Sequence, residues 1–423
     1  MVNLIHISDT HLGFRLRYDY KKGWFKFGEI KWYENEFYQQ WNGFLKYCIE
    51  NQDDIDFIVH SGDLFHLPHF GHAYPSPEPA RESVVKGLRY FFKNTENKIP
   101  FILIDGNHGI YQGYRYSPMD SITPIFPELY YFSVWDLKKA IDDNKPLKCE
   151  FPKKNTRFYL FPYFEYKLTK EIQIAYNTWI ENQRPKEDMV EIAVAHAADI
   201  DETLHEKIKT FNYSYIALGH EHNQKKLKQN MYYSGSFVPL NFNEIGFTHG
   251  YLKVRIQKNQ NLFVKEHYFE SLRDFEIIEI EITPSMTSQS IIEMLKEAVN
   301  PYKTEIWNGN SAARLKIKFI GNIPLQSFWG LLDEINYFKS RILNEGRYNI
   351  LQLVLNWTLL TKDIGDELKP EIIKEYILNN PKEEFLQYIK GKMKTTEGFD
   401  MNLLAEIAVN TIENALKKYE GYN

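Results

Sequence analysis

Side chains that bind divalent cations recur in short clusters along this chain. They are Asp9-Thr-His11, Gly62-Asp63, Gly106-Asn107-His108, a lone His196, and Gly219-His220-Glu-His222, closed by Ser234-Gly235-Ser236. The donor set Asp9, His11, Asp63, Asn107, His196, His220 and His222 mixes carboxylate, amide and imidazole and contains no thiolate. Such a set suits Mn, Fe, Zn or a similar divalent ion. A carboxylate bridging two ions about 3.5–4 Å apart makes a clamp for in-line displacement at phosphorus, and the ions activate a water as nucleophile near neutral pH. Each motif alone has an ordinary reading: a solvated strand end, a Gly-Asp turn, a helix entry capped by Asn107. Their joint order, each after an apolar run, is what points to a two-metal phosphoesterase site.

Those apolar runs must position the ligands. They are Leu4–Ile7, Phe57–His60, Phe101–Ile104, Phe158–Phe161, Glu191–Ala195 and Tyr215–Leu218, each short and rich in β-branched or aromatic residues. Helical patterns over Glu36–Asn51 and Glu82–Asn94 separate the first three, which is βαβ logic with a largely buried sheet. In an open α/β sheet, ligand sites lie beyond the carboxyl ends of the strands, where these motifs fall. Asp9 and His11 stand two apart, so a strand period of two places them on one face. Gly62, Gly106 and Gly219 permit tight turns that aim the neighbouring ligands inward. Further strands are expected at Tyr232–Phe237, Gly250–Ile256 and Leu262–Tyr268.

From Arg273 the rhythm changes to strand, helix, strand, helix, strand: Phe275–Ile282, Ser288–Val299, Ala312–Phe319, Leu325–Leu343 and Tyr348–Thr358. This predicts a small α+β domain. After Asp363 the pattern is helical only, over Glu371–Asn379, Lys382–Lys394 and Met401–Tyr419, with Pro370 and Pro381 at favourable helix starts. The domain boundaries read as 1–270, 271–363 and 364–423. At 423 residues the chain is long enough for two or three domains.

Net charge is only −5, so a nucleic-acid partner must meet a local basic patch rather than a global field. The best such stretch is Phe14–Trp32, where Arg15, Arg17, Lys21, Lys22 and Lys26 interleave with aromatic residues directly after the first ligands. A second long loop, His69–Pro79, is a candidate rim element. The two cysteines, Cys48 and Cys149, argue against a disulfide framework or a thiolate site. The first residues carry no basic leader and no apolar span, so a soluble cytoplasmic protein without membrane association is expected.

These motifs resemble the calcineurin-like metallophosphoesterases. Within them the chain is most similar to the DNA double-strand-break repair nucleases of the SbcD and Mre-eleven type. The cues are Ile7-Ser-Asp-Thr-His-Leu-Gly13, Gly62-Asp-Leu-Phe-His66, and Gly219-His-Glu-His222 followed by Tyr233-Ser-Gly-Ser236. Leu-Phe-His after Gly62-Asp63 departs from the arginine-bearing segment of the related protein phosphatases. The resemblance covers about 1–270 and weakens afterwards. It implies a four-layer α/β/β/α sandwich with a small α+β capping domain and a C-terminal helical element.

It also implies two divalent ions, Mn first and Mg, Fe or Zn as alternatives. Asp9, His11 and His222 would hold one; Asn107, His196 and His220 the other; Asp63 would bridge. His108 would stabilise charge on the phosphate or protonate the leaving oxygen, and His66 would help position the DNA phosphate. The implied activity is 3′–5′ exonuclease and single-strand endonuclease on DNA. Implied partners are a coiled-coil ABC-type repair ATPase of the SbcC and Rad-fifty type, bound through the C-terminal helices, and a second copy of the chain. The Lys369-Pro-Glu-Ile-Ile-Lys-Glu-Tyr376 stretch is similar to the family's ATPase-binding element and suits helix-in-groove recognition. One departure stands out. The acid that usually follows Gly-Asn-His is Gly109 here, so His108 needs another carboxylate, for which Asp120 is a candidate, or its activity is reduced. A small-molecule or cyclic-nucleotide phosphodiesterase, and a weakly active scaffold, are the competing functions.

Overall fold

The computed structural model describes residues 1–14, 32–66, 78–108, 117–164, 170–186, 188–196, 207–257 and 262–363. Several expectations fall outside them: Arg15, Arg17, Lys21, Lys22 and Lys26, the 69–77 loop, Gly109, and the C-terminal helices.

Four parallel strands open the fold: β1 (Val2–Ile7), β2 (Phe57–His60), β3 (Phe101–Ile104) and β4 (Leu129–Phe132). Then β5 (Lys148–Phe151), β6 (Thr156–Phe161), β7 (Val190–His196), β8 (Tyr215–Gly219), β9 (Lys225–Lys228) and β10 (Met231–Tyr233) form a second sheet, in the order β5-β6-β7-β8-β10-β9. The hairpin of β11 (Gly250–Ile256) and β12 (Leu262–Tyr268) returns to the first sheet beside β1, giving β12-β11-β1-β2-β3-β4. The two sheets are those of the sandwich that the motif resemblance implies. Two sheets form because alternate residues of the same runs serve two different cores.

The alternation is visible strand by strand. Leu4, Phe57, Val59, Ile102 and Ile104 meet Phe158, Leu160, Ile192, Val194 and Tyr215 in one apolar layer shared by both sheets. Their neighbours Ile5, Ile7, Ile58, Phe101 and Leu103 turn to the opposite face. There they pack on Trp41, Phe44 and Leu45 of helix α1 (Trp32–Glu50) and on Val84, Leu88 and Phe91 of α2 (Glu78–Asn94). The outer face of the second sheet uses Tyr159, Phe161, Ala193, Ile216 and Leu218. A short helix, α3 (Met119–Ile122), precedes β4; Leu137 and Ile141 of α4 (Val134–Asp142) and Tyr176, Trp179 and Ile180 of α5 (Lys170–Glu181) cover that second face. The result is the four-layer α/β/β/α sandwich. Burial of side chains this size stabilises by about 1.5–3 kcal/mol each, so the layered cores are the main source of stability.

Beyond β12 the chain alternates β13 (Phe275–Ile282), α6 (Ser288–Val299), β14 (Ala313–Pro324), α7 (Leu325–Asn344) and β15 (Ile350–Asp363), with β14 central in a three-stranded sheet. This is the strand–helix alternation read from the sequence. Two compact units result: 1–280 with 293–318 and 336–356, and 281–292 with 319–335 and 357–423. In the second unit, Phe319 stacks on Trp357 with ring centroids 3.9 Å apart. Cys48 and Cys149 are free. Among the described residues no helix is long and apolar enough to cross a membrane.

Candidate metal centre

Every proposed ligand lies at or just past the carboxyl end of a strand: Asp9 and His11 after β1, Asp63 after β2, Asn107 after β3, His196 at the end of β7, and His220 and His222 after β8. The loops after β1 and β2 interlock. Asp9 N–H donates to the Gly62 carbonyl at 3.0 Å, His11 N–H to that of Asp63 at 3.0 Å, and Leu12 N–H to that of Leu64 at 2.9 Å.

The ligands converge by a route different from strand alternation. β1 ends at Ile7, and Asp9 (φ 50°), His11 (φ 45°), Asp63 (φ 57°) and His220 (φ 102°) all have left-handed backbone. A non-glycine residue there costs on the order of 1–3 kcal/mol and persists where the surroundings enforce it. The ligands thus take these turns themselves, joined by Gly62 (φ 109°), while Gly106 and Gly219 serve close approach. A Cβ on Gly106 would sit 2.1 Å from Asp63 Oδ1, and one on Gly219 would sit 2.1 Å from the Ser61 carbonyl oxygen.

The two carboxylates are each half engaged. Asp63 Oδ1 accepts the His108 N–H at 2.7 Å, and Asp9 Oδ2 accepts the His220 N–H at 3.0 Å. The other oxygen of each faces imidazole. Asp63 Oδ2 lies 3.4 Å from His196 Nε2 and 3.9 Å from His11 Nε2, between the two groups of ligands. Asp9 Oδ1 lies 3.7 Å from His11 Nε2 and 3.9 Å from His222 Nε2. It is buried without a hydrogen-bond partner. On the other side, Asn107 Oδ1 is 2.9 Å from His196 Nε2 and 3.1 Å from His220 Nδ1.

This arrangement fits divalent cations. His222 Nδ1 lies 3.1 Å from Glu244 Oε1, which orients that N–H outward and leaves Nε2 as a lone pair. His222 Nε2 is 3.0 Å from His11 Nε2, and both face the unpartnered Asp9 oxygen. Lone pairs so crowded in a buried place call for a positive centre. Asp9, His11 and His222 form one such cluster, and Asp9, Asp63 and His196 a second. His196 Nδ1 is fixed by the Ser61 carbonyl at 2.9 Å, which likewise presents its Nε2 inward.

Charge follows the geometry. Burial opposes a charge on His196, yet the adjacent Asp63 carboxylate prevails and lifts its pKa to about 9. Burial also works against ionised Asp63, but His196 and His11 outweigh it and hold its pKa well below the usual carboxylate range. Burial dominates at two others, raising Asp9 and lowering His220 to about 4, whereas at His222 burial is overcome by the Glu244 contact, which raises the pKa.

His66 stands behind His11, with their Nδ1 atoms 3.0 Å apart. It also stacks on His108, ring centroids 4.4 Å apart, and Phe14 packs edge-on against it. Asp120 is exposed and accepts the Ser117 N–H. The closing Ser234-Gly235-Ser236 segment braces the centre: Ser234 Oγ meets Ser8 Oγ at 2.8 Å, and Ser236 N–H donates to the His222 carbonyl at 2.9 Å.

Sequence reasoning missed Glu244, which sits on a short 3-10 turn 22 residues beyond His222. Its buried carboxylate also accepts the Leu240 N–H at 2.8 Å and the Asn241 amide at 2.7 Å. Its Phe242-Asn-Glu244 setting carries no metal-ligand spacing of its own. Glu244→Gln keeps the shape and removes the charge that orients His222. Affinity for a divalent cation, measured by calorimetry, should fall about 10- to 100-fold. Unchanged affinity would show that His222 needs no such partner.

A two-sheet sandwich with this donor set at one rim defines a metal-dependent phosphoesterase. The chain belongs to the calcineurin-like phosphoesterase family, whose model matches residues 2–224. Two curated relatives are both described as the DNA double-strand break repair protein Mre11. That of Methanococcus maripaludis is 32% identical over 111 residues, and that of Saccharolobus solfataricus 29% over 108. Each match covers 26% of this chain and 23% of the relative, so the chain spans about a quarter of the length of these relatives. The solved structure of the Thermus thermophilus sulfate thiohydrolase SoxB in complex with glycerol aligns over 72% of this chain and 62% of its own. Its identity is 10% and its TM-score 0.31, a likeness too low to carry an argument.

Proposed function

We propose that this chain is a Mn-dependent DNA nuclease of the SbcD and Mre-eleven type, acting as a 3′–5′ exonuclease and single-strand endonuclease in double-strand-break repair. The observation that carries this reading is the gathering of Asp9, His11 and His222 about one unpartnered carboxylate oxygen, with Asp63 beside them and Asn107, His196 and His220 meeting on its other side. Two bound ions would supply a water activated as nucleophile and positive charge for the phosphate oxygens. Asp9, His11 and His222 would hold one ion and Asn107, His196 and His220 the other, with Asp63 between. His108, its N–H fixed by Asp63, would donate a proton to the leaving oxygen or stabilise charge on the phosphate. His66 would hold the rings of His11 and His108 in place.

The names of the two curated relatives support DNA repair as the setting. In this reading 1–270 is the nuclease part, 271–363 a capping part that binds DNA, and 364–423 the element that binds a coiled-coil ABC-type ATPase. The basic-aromatic stretch with Arg15, Arg17, Lys21, Lys22 and Lys26 would meet the phosphate backbone. A homodimer in the cytoplasm completes the proposal. The test is direct. Protein stripped by a chelator should leave end-labelled duplex DNA and single strands intact, and added Mn should restore cleavage. Turnover of a small chromogenic diester without DNA cleavage would favour the small-molecule phosphodiesterase. Turnover of neither would reject hydrolysis altogether.

A further inference from the structure

A cleft of 280 Å³ opens over the centre, lined by Asp63, His108, His220, Glu221, His222 and Phe247. Its volume is close to the low end of ligand pockets, about 300 Å³, which is the scale of one nucleotide unit. Phe247 is the one purely apolar side chain on this wall, and it is 37% exposed. Isolated exposed apolar residues are common and call for no explanation. This one differs, because it faces a metal-binding cleft from a segment that is pinned on both sides.

Phe247 N–H donates to the Glu244 carbonyl at 3.0 Å, one turn from the carboxylate that holds His222. The next residue is tied to the loop of His220 and His222: Thr248 N–H and Oγ1 both donate to Asn223 Oδ1, at 2.9 and 3.1 Å. Gln224 N–H then donates to the Thr248 carbonyl at 3.3 Å. The ring is therefore presented to solvent by backbone fixed to the ligand loop, which lowers the entropy cost of contact with a substrate. Among the described residues the same wall carries Glu221 and no Lys or Arg. A second phosphate is disfavoured there, and a neutral planar group is favoured.

We propose that Phe247 stacks on the nucleobase beside the scissile phosphate, so that the site selects an unpaired, base-bearing nucleotide. This rests on the nuclease reading above. The experiment uses the full chain with Mn and two single-stranded oligonucleotides, one ordinary and one in which every base is replaced by an abasic tetrahydrofuran. Phe247→Ala should lower kcat/KM on the ordinary strand about 5- to 150-fold, the range produced by losing one base–aromatic stack, mainly through KM. On the abasic strand it should match the wild type within about two-fold, because no stack exists there to lose. Phe247→Trp should restore the ordinary strand, and metal stoichiometry should be unchanged in both variants. Equal losses on the two strands would make Phe247 a structural prop and overturn the proposal. So would no loss on either. Wild-type protein that cleaves neither strand would take the nuclease reading down with it; cleavage of both with Phe247→Ala unaffected would remove the stacking role alone.

Discussion

If the centre holds two ions as proposed, Asp63→Asn should reduce phosphoester hydrolysis about 1,000-fold or more and lower bound metal to at most one ion per chain. The magnitude follows from position. Loss of a partner that merely orients a ligand costs about 10- to 100-fold, and Asp63 stands closer than that. Its Oδ2 lies within 3.4 Å of His196 Nε2 and 3.9 Å of His11 Nε2, so it faces both groups of ligands. Asparagine keeps the Oδ1 acceptor for the His108 N–H but turns an amide toward the imidazoles. That replaces a negative acceptor by a donor where cations belong. The substitution is isosteric, so the interlocked loops after β1 and β2 should survive it. Metal analysis of the purified variant, with hydrolysis of a chromogenic diester at saturating Mn, checks both halves. Two ions bound and activity within about ten-fold of wild type would show that Asp63 does not lie between the ions.

Much of this site was legible in the sequence because strands and ligand motifs obey short-range rules. β2 and β3 coincide with the apolar runs Phe57–His60 and Phe101–Ile104, and the ligands fall beyond their ends. β9 was not legible: Lys-Lys-Leu-Lys is exposed at a sheet edge, where lysines discourage pairing with another chain instead of building a core. The separate sheets came from the motif resemblance and not from the apolar runs. A strand buried on both faces reads the same whether one sheet or two surround it. The left-handed backbone of Asp9, His11, Asp63 and His220 could not be foreseen either, since no glycine marks it. Tertiary hydrogen bonds impose it, as with the bonds from Asp9 N–H to Gly62 and from His220 N–H to Asp9. Partners distant in sequence escape local reading altogether, as the pairing of His222 with Glu244 illustrates.

The most distant such pairing sets the largest expected effect on stability. Glu36 on α1 is buried between two arginines that follow it by more than two hundred residues. Its Oε2 accepts from Arg273 Nε, and its Oε1 lies 3.8 Å from Arg314 Nη1. All three side chains are at most 5% exposed. Backbone carbonyls and one amide oxygen take up further donors: Arg273 reaches Ala312 at 2.8 Å, and Arg314 reaches Pro239 at 3.0 Å, Leu240 at 2.8 Å and Gln352 Oε1 at 2.9 Å. Burial depresses the Arg314 pKa to about 10, and the Glu36 charge opposes that shift. Glu36 is the counter-charge shared by both guanidinium groups, and Glu244 adds a weaker one at Arg314. Removing Glu36 takes the nearest counter-charge from both guanidinium groups, whereas removing Arg273 leaves Glu36 paired with Arg314. Breaking a buried pair costs about 3–5 kcal/mol, so Glu36→Ala should lose that much stability and Arg273→Ala distinctly less. Glu36→Gln, which keeps an acceptor for Arg273 Nε, should fall between alanine and wild type. Urea unfolding with the slope unchanged reads these differences as midpoint shifts. If Arg273→Ala proves the more damaging, the carbonyl contacts near Ala312 outweigh the charge balance, and the cluster is held by hydrogen bonding more than by its carboxylate.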